Sequence, residues 1–201
     1  MDIAVIGNSL VNTGFATAAD LHMAGHTVRF AAWPGVEAAL EPIRQRGGIE
    51  FGGNAAQTVS GRLGLAKPTL ADDLAGAVRG ADLVIIDMLA MEFEARFAEV
   101  LPHLEPGQVV HINSHGYWPA LRLAPLLRAA GKAGVTLTEA AAPTIAAEQG
   151  DGVVSVQWLR RNLPVAVFPA SRTAEAMKRL QAAYPTSVIP AANVLETGFS
   201  G

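Results

Sequence analysis

An apolar strand that runs straight into a glycine turn and then a helix opens the chain, and this junction limits the possible folds more than any other stretch. Residues 1–14 read Met-Asp-Ile-Ala-Val-Ile-Gly-Asn-Ser-Leu-Val-Asn-Thr-Gly. Ile3 to Ile6 have the unbroken apolar character of a parallel strand buried on both faces. Gly7 permits a tight turn at the strand end, and Gly14 lets the next helix lie close on a sheet. That helix is expected over Phe15 to Ala24, with Ala16, Ala18 and Ala19 as small contact residues and Gly25 as its C-cap. His26 to Ala32 then read as a second strand. Unsatisfied amides at the start of such a helix attract anions, so Gly7, Asn8, Ser9, Asn12, Thr13 and Gly14 are candidate contacts for a pyrophosphate. Six residues separate Gly7 from Gly14, where the usual G-x-G-x-x-G spacing has four, and no middle glycine exists unless Ser9 serves. The competing reading is a strand-to-helix turn that binds nothing.

Composition removes several function classes. Half of the 201 residues are hydrophobic, enough for a buried core, and the formal charge of −3 offers no basic field for nucleic acid or an anionic membrane. The absence of cysteine excludes disulfides, thiolate catalysis and zinc-thiolate sites. His22, His26, His103 and His111 lack the spacing of a metal site, so no metal is expected. The first residues enter a strand without a basic segment and cleavage site, and no apolar run has membrane-helix length. A cytoplasmic location without a membrane association is the expectation.

Strands and helices continue to alternate. Helical spacing covers Val36 to Arg46, and short extended pieces follow at Ile49 to Phe51 and Ser60 to Leu65. Thr69 and Asp72 resemble a capping box for a helix over Leu70 to Val78. Leu83 to Ile86 and Gln108 to Ile112 read as buried strands around a helix at Met91 to Leu104, and Pro119 to Ala130 as a helix before a strand at Val135 to Thr138. Val153 to Leu159 and Leu163 to Phe168 suggest a hairpin with its tip at Arg160-Arg161-Asn162, ahead of a helix at Thr173 to Tyr184 and a strand at Ser187 to Ile189. Repeated β-α-β units imply an α/β fold: a Rossmann-type, doubly wound and mostly parallel sheet with a late antiparallel hairpin. Nothing divides residues 1–201, which read as a single dinucleotide-binding domain.

Ligands of such sheets lie outside the carboxyl ends of the strands. After the second strand, Ala31-Ala32-Trp33-Pro34 offers neither the acid typical of NAD sites nor the base typical of NADP sites, and Arg29, Arg44 and Arg46 lack support as phosphate ligands. The cofactor is therefore NAD or NADP. Trp33 either stacks on adenine or caps the core. After Ile86, Asp87 reads as a cap of the next helix, and Leu89 and Ala90 as cofactor contacts near the nicotinamide. After Ile112 comes Asn113-Ser114-His115-Gly116-Tyr117-Trp118, in which Asn113 is available to a carboxamide or ribose and His115 to a substrate carboxylate or a proton transfer. The alternative is that this cluster caps the helix at Pro119. Glu139, ending a later strand, either orients a substrate amine or pairs with a nearby base. His115 and Glu139 are the catalytic candidates.

On these residues the chain resembles the NAD(P)-binding domain of the opine dehydrogenase family, which includes octopine and nopaline dehydrogenases. The resemblance rests on the Gly7 to Val28 opening with Ala24-Gly25-His26, on Ala81-Asp82-Leu83-Val84-Ile85-Ile86, on Pro106-Gly107-Gln108-Val109-Val110 followed by Asn113, and on Thr138-Glu139. Above all it rests on Asn193-Val194-Leu195-Glu196-Thr197, which looks like the family's passage into a helical substrate domain. The resemblance implies condensation of an amino acid with a 2-oxo acid and reduction of the imine by hydride from NAD(P)H. It also implies a C-terminal helical domain bearing histidine-containing catalytic elements, with no counterpart in this sequence. The expectation is a cofactor domain completed by that domain or by a partner chain, inactive alone, with homodimerisation through the uncovered apolar surface as an option. Two other readings stay open: a non-catalytic dinucleotide-binding module, and another reductase such as a ketopantoate or hydroxy-acid enzyme.

Overall fold

A computed structural model describes residues 1–7, 13–114 and 117–199. In chain order its elements are β1 (Asp2–Gly7), α1 (Gly14–Met23), β2 (Thr27–Ala32), α2 (Glu41–Arg46), β3 (Ile49–Gly53), β4 (Gly64–Ala66), β5 (Thr69–Leu70), α3 (Leu74–Val78), β6 (Leu83–Ile86) and α4 (Phe93–Val100). There follow β7 (Val109–Ile112), α5 (Pro119–Ala129), β8 (Thr136–Ala140), β9 (Ile145–Gly150), β10 (Val153–Leu159), β11 (Leu163–Phe168), α6 (Thr173–Ala183), β12 (Val188–Pro190) and α7 (Val194–Phe199).

Eight strands form the main sheet in the order β12-β11-β8-β7-β6-β1-β2-β5. From β1 the chain builds outward through β2 and β5, then returns to the other side of β1 and builds through β6, β7 and β8. All these pairs are parallel, and β11 joins β8 antiparallel. The winding direction therefore reverses between β1 and β6, and a crevice opens above their carboxyl ends. Ile3, Val5, Leu83 and Ile85 lie in the core on one face of the sheet, Ala4, Ile6, Val84 and Ile86 in the core on the other. This two-sided burial is why the strands are continuously apolar. The expected doubly wound fold is thus present. No helix among the described residues is long and apolar enough to cross a membrane.

A second sheet, β4-β3-β10-β9, comes from two excursions: one lies between β2 and β5, the other between β8 and β11. They meet where β3 and β10 pair in parallel. Together they cover the face of α1 turned away from the main sheet, which explains why Gly14 to Leu21 are all buried. Even Asp20 is buried there, its carboxylate accepting the amides of Val59 at 2.7 Å and Ser60 at 2.9 Å.

Several elements depart from the sequence reading. The late hairpin is β9–β10, and β10 does not pair with β11. The reason is burial: β10 alternates, presenting Val154, Val156 and Leu159 to the α1 side, whereas β11 lies inside the main sheet between β8 and β12. The segment read as a helix from Leu70 begins instead at Leu74, because Thr69–Leu70 is taken into the sheet beside β2. Its cap is Asp73, whose Oδ1 accepts the Gly76 amide at 2.6 Å, and not the Thr69–Asp72 pair. The helical spacing from Val36 resolves into a 3-10 turn at Glu37–Leu40 and the short α2.

Candidate functional site

The reversal point is built around two glycines. A Cβ on Gly7 would lie 3.2 Å from both Asp87 Cβ and Gly14 Cα, and one on Gly14 would lie 3.3 Å from Gly7 Cα and 3.4 Å from Asp87 Oδ2. Close approach of strand end and helix start accordingly demands glycine at both places, as the sequence reading expected. Thr13 precedes α1, and its amide donates to Asp87 Oδ2 at 2.7 Å. Asp87 is 2% exposed and so caps the first helix; it does not cap the one that follows it, as its position had suggested. Its carboxylate occupies the positive end of the α1 dipole. Gln149, from β9, accepts the Ala16 amide at 3.3 Å. Two amides of the first turn thus already have protein acceptors, which narrows the cradle expected for a diphosphate. Asn8, Ser9, Asn12 and His115, all named as site residues, lie outside the described residues.

Asn113 links the end of β7 to the start of α1 and to the segment that leads into β9. It is fully buried; its Nδ2 donates to Thr13 Oγ1 at 3.2 Å and its Oδ1 accepts the Thr144 amide at 3.1 Å. Both ends of its amide are engaged by protein, so it positions Thr13 instead of reaching a carboxamide or ribose directly. Its neighbour Ser114 donates to the Met88 carbonyl at 2.6 Å, fixing the loop in which half-buried Leu89 and Ala90 line the rim above β6. Glu139 is likewise buried: Oε2 accepts the Ala120 amide at 2.6 Å and Oε1 the Thr197 hydroxyl at 2.7 Å. It caps α5 and ties down α7, and no base among the described residues pairs with it. Burial pushes its carboxyl up, against the lowering effect of these two hydrogen bonds. Tyr117 and Trp118, entering α5, both have positive φ, 77° and 54°, a strained pair at the crevice edge.

Trp33 is a core residue. It is 1% exposed, its Nε1 donates to the Asp87 carbonyl at 2.9 Å, and the Arg96 guanidinium lies 5.4 Å from its ring centroid. A ring enclosed in this way has no face for adenine, which corrects the stacking alternative. A cavity of about 390 Å³ does open at the carboxyl end of β2, between Ala32, Pro34, Glu37, Asp72, Asp73, Glu99 and His103. The sequence reading gave its carboxylates no place at a ligand site, Asp72 entering only as a capping residue, because Glu37 lies beyond the strand end and Asp72–Asp73 reach the cavity only through the pairing of β5 with β2. The three arginines considered as phosphate ligands are held elsewhere: Arg29 on the carbonyls of Ala77 and Arg79, Arg44 on Glu41, and Arg46 on Glu50 and the Asp151 carbonyl. No metal-binding group of three or more ligands occurs among the described residues.

This architecture, with its reversal-point crevice above a glycine-bounded helix start, is that of Rossmann-type dinucleotide-binding domains. The chain is 28% identical over 199 residues to the opine dehydrogenase of Arthrobacter sp. (strain 1C), an alignment covering 98% of this chain and 52% of that protein. It therefore spans about half the length of this relative. Among solved structures, octopine dehydrogenase in complex with NADH and agmatine superposes with a TM-score of 0.78 at 16% identity, over 98% of this chain and 50% of that one. A PanE/ApbA family ketopantoate reductase from Ralstonia eutropha JMP134 superposes with a TM-score of 0.71 at 23% identity, over 96% and 57% respectively. No family model matches. The resemblance to opine dehydrogenases read from the sequence stands, and it extends over nearly the whole chain.

Proposed function

We propose that this chain is the NAD(P)-binding domain of an oxidoreductase of the opine dehydrogenase type, in which hydride from the nicotinamide reduces the imine formed from an amino acid and a 2-oxo acid. The observation carrying this reading is the contact of Gly7 with Gly14 at the reversal point, which brings the start of α1 against the sheet. When bound, the dinucleotide supplies the hydride. The protein's own residues orient it: Asn113 holds Thr13, and Asp87 holds the Thr13 amide from the other side. The acid-lined cavity beyond β2 favours NAD(H), since a 2′-phosphate would meet the carboxylates of Glu37, Asp72 and Asp73 while Arg29, Arg44 and Arg46 are held elsewhere.

Calorimetric titration of NADH and NADPH tests this. NADH is expected to bind more tightly than NADPH, and Gly14→Asp, which sets a second carboxylate beside Asp87 at the start of α1, to abolish binding in the protein recovered folded by circular dichroism. Unaltered binding in that variant would remove the proposed loop from the site. A ketopantoate-type reductase is the second reading, favoured by the superposition on that enzyme. Oxidation of NADH with a panel of 2-oxo acids, each with and without amino acids, separates the two, because only the opine reaction requires the amine.

A further inference from the structure

A second cavity, of about 250 Å³, lies at the start of α1 and shares no residue with the acid-lined one. Thr13, Pro143, Ile145, Gln157, Trp158 and Arg160 line it. Its shape comes from a bulge. Val153 to Val156 pair in register with Gly150 to Ala147, but the next partners are Trp158 and Ala146, which leaves Gln157 as an extra residue. The insertion reverses the alternation, so Gln157 and Trp158 both face outward and Leu159 returns to the core. Gln157 is steadied by Glu148, to which its Nε2 donates at 2.8 Å. Trp158 remains 48% exposed, an unusual position for an indole without a ligand.

Arg160 follows directly. Its backbone is fixed, the amide donating to the Thr144 carbonyl at 2.9 Å, and Thr144 is in turn bonded to Asn113 and Asn113 to Thr13. Its guanidinium has no ion pair or hydrogen bond among the described residues. Arg161 differs in this respect, being held by the Thr186 hydroxyl and the Ala56 carbonyl. An anchored backbone thus carries an unpaired fork of donors beside an exposed indole and next to the start of α1. A dinucleotide lying across the reversal point would extend from the β2 side of β1 to the β6 side, and Pro143 and Ile145, which follow β8, bring this cavity to that second side.

We propose that Arg160 binds the carboxylate of the acid substrate, with Trp158 forming the apolar wall of that subsite. Guanidinium matches carboxylate in a two-pronged geometry, which fixes the direction from which the acid meets the nicotinamide. The 2-oxo acid and the amino acid both carry such a group. The inference rests on the dinucleotide reading above and adds to it the place of the substrate.

Equilibrium binding tests this without turnover. Pyruvate and L-alanine, each beside its uncharged amide, are titrated into the chain with and without NADH, and the indole N–H signal of Trp158, assigned with Trp158→Phe, is followed by NMR. The expected result is that one or both acids shift that signal and their amides do not. Arg160→Gln then weakens acid binding roughly ten- to hundredfold, Arg160→Lys recovers part of it, and NADH affinity is unchanged. Pyruvate alone responding assigns the subsite to the oxo acid, and L-alanine alone to the amine donor. Acid and amide binding alike, no shift with either acid, or Arg160→Gln binding as the parent does would each overturn the subsite. Loss of NADH binding in the parent chain would instead count against the dinucleotide reading, since the acid titrations without NADH are scored separately.

Discussion

Acidification should expose the cost of keeping His111 neutral. This side chain is wholly buried on β7, with Nδ1 3.0 Å from Thr138 Oγ1, Nε2 without a partner among the described residues and the Tyr184 ring 6.5 Å away. No carboxylate among the described residues bonds to this ring, and burial depresses the pKa from its ordinary 6.5 to about 4. For a depressed value, the stabilising contribution is complete above the unfolded pKa and is lost as the pH falls toward the folded one. The unfolded chain takes up a proton that the native state refuses, which at about pH 5 amounts to roughly 2 kcal/mol and in the limit of low pH to about 3 kcal/mol. Urea unfolding of the parent and of His111→Phe, at about pH 7.5 and about pH 5, measures the difference. Groups such as Asp20 and Glu139 titrate in both proteins and cancel. The parent should lose about 2 kcal/mol more than the variant over this interval. Equal losses would refute the argument that His111 is locked in its neutral form.

Three further outcomes follow from single residues. Glu139→Ala leaves the buried Ala120 amide without its acceptor and Thr197 with only the Val194 carbonyl of its own helix, and should lower stability by about 1–3 kcal/mol and open the α7 region to limited proteolysis; an unchanged melting curve would contradict its anchoring role. Gly53→Ala places a Cβ against the Val156 backbone at a φ of 104°, so it should detach the small sheet, seen as accelerated hydrogen exchange in β3 and β10 with β6 and β7 still protected. Asp87→Asn removes a negative charge from the start of α1; stability should fall by about 1 kcal/mol while NADH binding tightens at low salt, and weaker binding would argue against an electrostatic role for Asp87.

The main sheet was legible because its information is local and redundant. Ile3 to Ile6, Leu83 to Ile86 and Val109 to Ile112 are apolar on both faces, and each is followed by a residue that leads off toward the crevice. The small sheet was not legible, since β3 and β10 lie some hundred residues apart and neither bears a mark of the other. β9 was missed for a related reason: Ala146, Ala147, Glu148 and Gln149 have little strand character of their own and are held by pairing with β10. In the site, the strand-end rule found Gly7 and Gly14 with their packing role, and found Asn113 and Glu139 but not what they do. Burial turned Asn113 and Glu139 into residues that hold other parts in place, and turned Trp33 into core. Thr144 and Glu37 could have been found by applying the same rule to the segment after β8 and one turn beyond β2. Asp87 was noticed, but the helix it caps is a neighbour in space and not in sequence.

The parallel pairing of β3 with β10 also sets an order of events for a growing chain. The outer side of α1 stays bare after β1, β2 and even β8 have been synthesised, because half of its cover does not exist until the segment around Val156 has emerged. Closing so long a loop is slow. The first helix, buried from Gly14 to Leu21 in the finished molecule, must therefore wait with one side uncovered, and that interval is when a nascent chain of this design would most need a chaperone.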